Sequence, residues 1–514
     1  MLARDKLKQR GLIEHRAAKV SLVTGLSTVL GLAIQMVSVP VCLHYWGGQA
    51  YGSWLALLSA FTLLRAFDGG FTTYIGNKLN YLYHQDTGEL REHLASAVVG
   101  VVIISGLQLA FAGGAILFAR LSSVLGMVGN QGNDLAAPMG LLVLMISWVL
   151  TGSYLGIVHK LLVPTGRMHQ AAWWAMGAQV CQFASIMAAA VFRLSMLGVS
   201  VLFALSQVLI CVCSALYVRR VLPEYTPWLA GASLQIGLRD LRHSLFLTGS
   251  NLIQQGATSG TVLVLAAFAG PATVPIFTTV RTVTNLWTTV TTVLTAPLLP
   301  DVVRMHVKGE AQKLLTINLA YWVVVGTLVN LGALVCYPLL PFLYGEWTAH
   351  AVALDKPLLC LLLGSVVVAN AGALMALQLS GINRLRVGFE ASVARALPAL
   401  GVGALSFKVL GVAGFGLGIL VGEVIANLLI ARHFAKHEIA ARGVHVAVAE
   451  FAPAVLSTGS ALLFFTGAGL GWWTSSWAWL TATAAIVVGF VWGWRKMNIE
   501  LQVRLTSMIS NVLP

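Results

Sequence analysis

Ser21–Gly47 reads SLVTGLSTVLGLAIQMVSVPVCLHYWG, and Ser244–Gly270 reads SLFLTGSNLIQQGATSGTVLVLAAFAG. The two stretches align without a gap, and each closes on a glycine. Each is long and apolar enough to cross a bilayer core, which takes ~20 residues of helix. Polar positions also correspond: Thr28 with Asn251, Gln35 with Thr258, Ser38 with Thr261. Thr24, Thr28, Gly31, Gln35 and Ser38 share one helical face, and Thr248, Asn251, Gln255, Thr258 and Val262 share another. Such an internal repeat is best sought first, because it decides the architecture.

The rest of the chain fits a membrane protein. Hydrophobic residues make up 58% and charged residues 10%, and the mean hydropathy is +0.83. Soluble domains carry about 25% charged residues. About fourteen membrane-length stretches follow one another, centred near Leu32, Leu63, Ser105, Trp148, Gln182, Gln207, Gly256, Leu286, Val325, Val367, Leu397, Ile419, Gly459 and Ile486. Lipid-exposed backbone must satisfy its own hydrogen bonds, so these read as helices. The short alternating segments of a barrel are not prominent.

A net charge of +14 is of the kind that attracts nucleic acid, but its distribution excludes such a partner. With a cytoplasmic N-terminus, nearly every Lys and Arg falls in an inside segment. The outside segments hold Arg120, Arg193, Lys356 and Lys408, while Arg65, Arg281 and Arg395 fall inside spans. This is the positive-inside pattern, and it places both termini in the cytoplasm. Signal-peptide cleavage is not expected, because the first apolar run begins after a long charged leader and is full length. That leader has two readings, an amphipathic surface segment or a disordered tail.

An even number of spans between the repeat starts gives the halves the same orientation. The expected division is an N-terminal lobe at 1–217, a basic cytoplasmic linker at 218–243, a C-terminal lobe at 244–440, and two further spans in 441–514. The fold class is thus an all-α polytopic membrane protein, with two six-helix lobes in pseudo-two-fold relation plus two C-terminal helices.

Charges inside spans are the candidate site. Arg281 lies within the apolar run Ala272–Leu299, where a guanidinium costs roughly 2.5–3.5 kcal/mol by insertion scales. With Asn285, Thr288, Thr292 and Thr295 it forms a polar stripe suited to a cavity for an anionic solute. The alternative is a cross-helix pair with Asp68 or Glu423. Arg65 and Asp68 are i, i+3 neighbours, continued by Gly69 and Thr72; they read as a substrate or proton site, with Asp68 a coupling candidate, or as a mutually neutralising pair. Arginine suits phosphate because its planar fork donates two parallel hydrogen bonds. Asn251, Gln254 and Gln255 could bond sugar hydroxyls or neighbouring helices. Glu423 and Asn427, at i, i+4, allow proton exchange or a structural bond, and Arg395 either pairs with Glu423 or lines the cavity.

Other signals stay bland. The cysteines Cys42, Cys181, Cys211, Cys213, Cys336 and Cys360 lack metal-ligand spacing and read as small buried hydrophobes. Trp173–Trp174 and Trp472–Trp473 read as interfacial anchors. No Walker A or Rossmann fingerprint is present, and no cofactor is called for beyond a coupling proton or sodium ion. The external loops hold too few ionisable groups for a membrane glycosyl polymerase or ligase.

From Gly31 to Leu79 the chain carries Pro40, then Trp46-Gly47-Gly48-Gln49-Ala50-Tyr51-Gly52-Ser53-Trp54, Phe67-Asp68-Gly69-Gly70-Phe71 and Gly76-Asn77-Lys78-Leu79. This resembles the first hairpin of the Wzx-type flippases for O-antigen and exopolysaccharide, in the multidrug/oligosaccharidyl-lipid/polysaccharide superfamily. Ala266–Val274 is similar to the turn that opens that family's second half. The resemblance covers essentially the full length and implies a MATE-like pair of lobes around a central cavity. It implies transport of an undecaprenyl-pyrophosphate-linked oligosaccharide to the periplasmic leaflet of a bacterial inner membrane. By position, Arg65 and Arg281 look like the cationic cavity residues that the resemblance implies meet the pyrophosphate or acidic sugars. The implied partners are the lipid-linked sugar and membrane lipids, with a polysaccharide polymerase and glycosyltransferases nearby. A lipid II flippase and a cation-coupled multidrug exporter share the fold and stand as alternatives. The chain departs from the family at Gly69, where relatives carry leucine, and the Gly-Gly pair is expected to loosen or bend the second span.

Overall fold

The computed structural model describes residues 2–85, 89–118, 136–295, 298–382, 384–440, 448–472 and 476–496. Among them every regular element is helical. The long helices are α1 (Leu2–Gln85), α2 (Leu90–Phe118), α3 (Ala136–Leu162), α4 (Met168–Val191), α5 (Met196–Val221), α6 (Leu234–Ala269) and α7 (Val274–Thr295). Then follow α8 (Leu299–Val307), α9 (Ala311–Cys336), α10 (Leu340–Trp347), α11 (Lys356–Gly381), α12 (Leu385–Leu410), α13 (Ala413–Ile439), α14 (Val448–Gly469) and α15 (Ser476–Lys496). Caps set several starts: Ser195 accepts from Gly198 N, Ser233 from Ile236 N, and Asp355 from Leu358 N at 2.9 Å.

Each expected span centre lies on one of these helices. Twelve of the described helical segments are long and apolar enough to cross a membrane. One of them, Gly25–Tyr83, is 59 residues long and is broken at Gly47, so it holds the first two expected spans. The eighth expected span is α7, a 22-residue helix. Its threonines and Arg281 make it the least apolar of the expected set, and it is not among the twelve. The leader continues α1 back to Leu2, so its backbone is helical; its side chains lie outside the described residues.

Gly47 has φ 73°, ψ 172°, and Gly270 has φ 82°, ψ 163°. Both occupy a region essentially closed to side-chain-bearing residues. The repeat read from sequence therefore bends its backbone at matched positions, for a reason specific to glycine.

By packing, the chain forms two compact units. The first is Met1–Pro275 with Trp347–Val352, and the second is Ile276–Glu346 with Ala353–Pro514. The seventh expected span, α6, thus packs with the first unit. There it crosses α1 at Gly70, where a Cβ would stand 2.2 Å from Thr248 N. Small residues at helix crossings let backbones approach where no hydrophobic force drives association. The Gly69–Gly70 pair therefore does not bend the helix as expected: α1 stays helical through it, and the pair serves close approach instead. Trp347, on the returning piece, donates from Nε1 to Met36 O at 2.8 Å.

The first unit is filled by Phe71, Ile75, Leu79, Leu94, Val98, Val101, Leu155, Val158, Leu161 and Val218. The second is filled by Leu314, Leu315, Tyr321, Leu374, Met375, Leu379, Ala426, Ile430 and Phe434. Cys42 and Cys360 are buried as expected, whereas Cys213 is exposed.

The segment at 218–243 begins in the last turn of α5, enters α6 at Leu234, and is pinned there. Asp240 is fully buried and meets Lys78 Nζ at 2.6 Å and His93 Nδ1 at 3.3 Å. Ser233 N donates to Ser96 Oγ at 2.9 Å. Removing one partner of a buried pair strands the other charge. Lys78→Met should therefore lower stability by about 3 kcal/mol, read as a reduced melting temperature in detergent. An unchanged melting temperature would show that His93 alone suffices for Asp240.

Candidate functional site

Beyond Gly47, α1 presents Arg65, Asp68, Gly69 and Thr72 at i, i+3, i+4 and i+7, which is one helical face. In the first unit this face borders a cavity of about 390 Å³. Trp148, Gly152, Ser153, Gly156 and Lys160 of α3 line it, as do Asn251, Gln254 and Gln255 of α6. Thr62 and Thr73 complete its polar wall. Both partner helices carry a π-helical turn at or beside the cavity, Trp148–Gly152 in α3 and Gly256–Gly260 in α6. Such one-residue bulges re-aim side chains and recur at functional sites.

Asp68 is 3% exposed. Its Oδ2 accepts from Trp148 Nε1 at 2.9 Å and from Ser153 Oγ at 2.7 Å. Ser105 Oγ donates in turn to Ser153 Oγ at 3.2 Å. The Arg65 guanidinium carbon stands 3.9 Å from the Trp148 ring centroid and 5.5 Å from that of Phe61. Of the two readings of Arg65 and Asp68, simple mutual neutralisation is not the arrangement present. Asp68 attracts Arg65 electrostatically, yet its hydrogen bonds go to neutral donors. Lys160 adds a second cation, with no carboxylate paired to it among the described residues. Two cations against one hydrogen-bonded acid leave the wall net positive, and its hydroxyls and amides can donate or accept.

The cavity thus gathers Arg65, Asp68, Asn251 and Gln255 from the residues expected. Gln35 is exposed on the first arm of α1, and the Ser38 hydroxyl returns to Ile34 O at 2.6 Å. Arg281 and Asn285 belong to the second unit, with Arg281 placed 5.9 Å from the ring of Phe277 on its own helix. The threonine stripe beside them is largely self-satisfied. Thr288, Thr292 and Thr295 donate to Asn285 O, Thr288 O and Thr291 O. Back-bonding of this kind lets threonine sit in an apolar helix without any cavity, so the stripe alone does not mark one. Arg395 takes the pairing alternative: its Nε lies 2.9 and 3.0 Å from the two oxygens of Glu423. Asn427 Nδ2 also reaches Glu423 Oε2 at 3.2 Å.

Trp148, Ser153 and Lys160 were not singled out from sequence. The signal for Trp148 was its depth, since tryptophan favours interfaces. Lys160 sits near a span end and passes for one more inside charge.

No protein-family model matches the sequence, and no curated protein matches it. Among solved structures the chain is similar to the lipid II flippase MurJ in its inward closed conformation, at 13% identity over 92% of this chain and 97% of that one, with TM-score 0.65. It is similar to an inward-facing multidrug resistance MATE family transporter of the MOP superfamily, at 15% identity over 83% and 99%, with TM-score 0.66. The Vibrio cholerae MATE transporter VcmN in its bent form gives 16% identity over 82% and 97%, with TM-score 0.53. The fold of this chain is that of the MurJ and MATE transporters, an all-helical, multi-pass membrane architecture.

Proposed function

We propose that the protein is a flippase that carries an undecaprenyl-diphosphate-linked oligosaccharide from the cytoplasmic to the periplasmic leaflet of a bacterial inner membrane. The observation that carries this reading is the cavity of about 390 Å³ walled by Arg65, Lys160, Asn251, Gln254 and Gln255 within membrane-spanning helices. Cavities of 300–1,000 Å³ are typical of ligand sites. Cations answer a diphosphate, and amides with hydroxyls answer sugars. An exporter of organic cations would want available acids, and the acid here is already hydrogen-bonded by Trp148 and Ser153.

In this reading Arg281, on α7, is the second lobe's cationic contact. The six-plus-six-plus-two layout rocks about the substrate with both termini cytoplasmic. The diphosphate and sugars occupy the polar cavity while the polyprenyl tail stays in lipid. The protein serves surface-polysaccharide assembly, between glycosyltransferases and a polymerase. A second reading, lipid II transport, draws on the likeness in fold to MurJ.

Deletion of the gene in its native host separates these. Loss of surface polysaccharide, with diphosphate-linked oligosaccharide trapped on the cytoplasmic leaflet and normal cell-wall synthesis, is the expected result. Arrested wall synthesis would favour lipid II. Unchanged polysaccharide with heightened sensitivity to cationic drugs would sink both flippase readings.

A further inference from the structure

Trp148 stands in the middle of a span, where an indole N–H must find an acceptor within the protein. It finds Asp68 Oδ2 on the neighbouring helix at 2.9 Å. The ring lies along its own helix because position 152 is glycine: a Cβ there would stand 2.2 Å from the ring. The π-helical turn Trp148–Gly152 brings Ser153 to the same carboxylate oxygen, at 2.7 Å. The indole is thus held by both its backbone and its polar edge.

A face of that fixed ring supports Arg65 at 3.9 Å. Contact with a ring face stabilises a guanidinium without using up its N–H donors, which remain to meet a planar or tetrahedral oxyanion. Among the described residues Arg65 has no hydrogen bond or ion pair, and it lines the cavity. Asp68, three positions along the same helix, is the acid best placed to capture that fork. Its Oδ2 is instead taken by two neutral donors. A charge that would otherwise be neutralised inside the membrane is stabilised by a π face and kept open.

We propose that Trp148 and Asp68 are positioning residues that present Arg65 to the diphosphate of the substrate, with Trp148 diverting Asp68 from the arginine it would otherwise pair with. This rests on the reading of the cavity as an anion site. Both residues border the cavity, and in this arrangement both act through Arg65.

The test uses the purified full chain in nanodiscs and two probes, inorganic pyrophosphate and farnesyl diphosphate carried in the disc lipid. Trp148→Phe keeps a ring and removes the N–H, so Asp68 is released towards Arg65. Diphosphate binding should weaken about tenfold. Asp68→Asn still offers an oxygen to the indole and lacks the competing charge, so binding should be at least as tight as in the wild type. The double variant should recover to within about threefold of wild type, a non-additive restoration that a packing role cannot produce.

Wild-type affinity in Trp148→Phe would overturn the proposal, as would a double variant as weak as Trp148→Phe alone. Loss of binding in Asp68→Asn would overturn it independently of how well the tryptophan variant folds. If the wild type binds neither probe, the anion-site reading falls and the positioning claim with it. Binding of the lipid diphosphate alone assigns the ligand to a lipid headgroup, and binding of the inorganic ion alone assigns it to a free anion. The variants then apply to whichever probe binds.

Discussion

Arg65→Ala is expected to stop transport while the protein still inserts and accumulates normally. The side chain lines the cavity and is stacked on Trp148, so its removal takes away a cation that no other group replaces at that point. Truncating a desolvated, hydrogen-bonded charge contact costs about 2–5 kcal/mol, or at least about 30-fold in substrate affinity. Arg65→Lys should restore only part of the activity. Lysine brings a point charge without the planar fork or the stacking face. The measurement is complementation of a deletion strain, scored by surface polysaccharide, with membrane abundance of each variant determined in parallel. Full activity in the alanine variant would remove Arg65 from the site. Arg395→Ala gives a useful contrast. It leaves Glu423 without its cationic partner inside the second unit, with only the Asn427 amide among the described residues still bonded to it, so its expected defect is in abundance and thermal stability.

The second large effect is expected at a glycine. Gly70→Leu should prevent accumulation of folded protein. A Cβ at this position would lie 2.2 Å from Thr248 N, 2.3 Å from its Cα and 2.6 Å from Leu247 C. These are backbone atoms, and they cannot rotate away as a flexible side chain can. The two helices must separate, breaking one of the close contacts that hold α6 within the first unit. Overpacking costs typically 1–3 kcal/mol, and more where backbone must move, so a loss of ~3 kcal/mol or greater is expected. Gly48 supplies the control, because a Cβ there meets nothing within 4 Å. Gly48→Ala should behave as wild type in size-exclusion profile and melting temperature. Comparable accumulation of Gly70→Leu and Gly48→Ala would show that the crossing is not tightly set.

Much of the fold was legible because membrane solvation imposes coarse rules. Apolar runs of bilayer length and one-sided charge are readable by eye, and each expected span centre falls on a helix. The glycine that ends each repeat was visible as well, although only coordinates reveal that Gly47 and Gly270 share a backbone conformation. Arg65, Asp68, Asn251 and Gln255 stood out because polar groups are rare in apolar runs.

Other parts were hidden for physical reasons. The divergence of Asp68 from Arg65 depends on Trp148 and Ser153, brought in by another helix through a π turn that has no sequence signature. Lys160 resembled the ordinary positive charge at an inner membrane face. The Arg281 stripe pointed to a cavity because threonine is polar, yet a threonine hydroxyl can be satisfied within its own helix. The bond between Arg395 and Glu423 required knowing that α12 and α13 touch.

The matched bends and the pinned α6 together separate two seams. By repeat, the second half begins at Ser244; by packing, the first unit continues to Pro275. The basic stretch before Ser244, with Asp240 locked between Lys78 and His93, is therefore not slack. It behaves as a rivet. The chain leaves the first unit instead between Gly270 and Ile276, beside a kink that only glycine allows and a stiff Pro271–Pro275 stretch. The chain thus changes units at that glycine kink, while the charged linker fastens α6 inside the first unit.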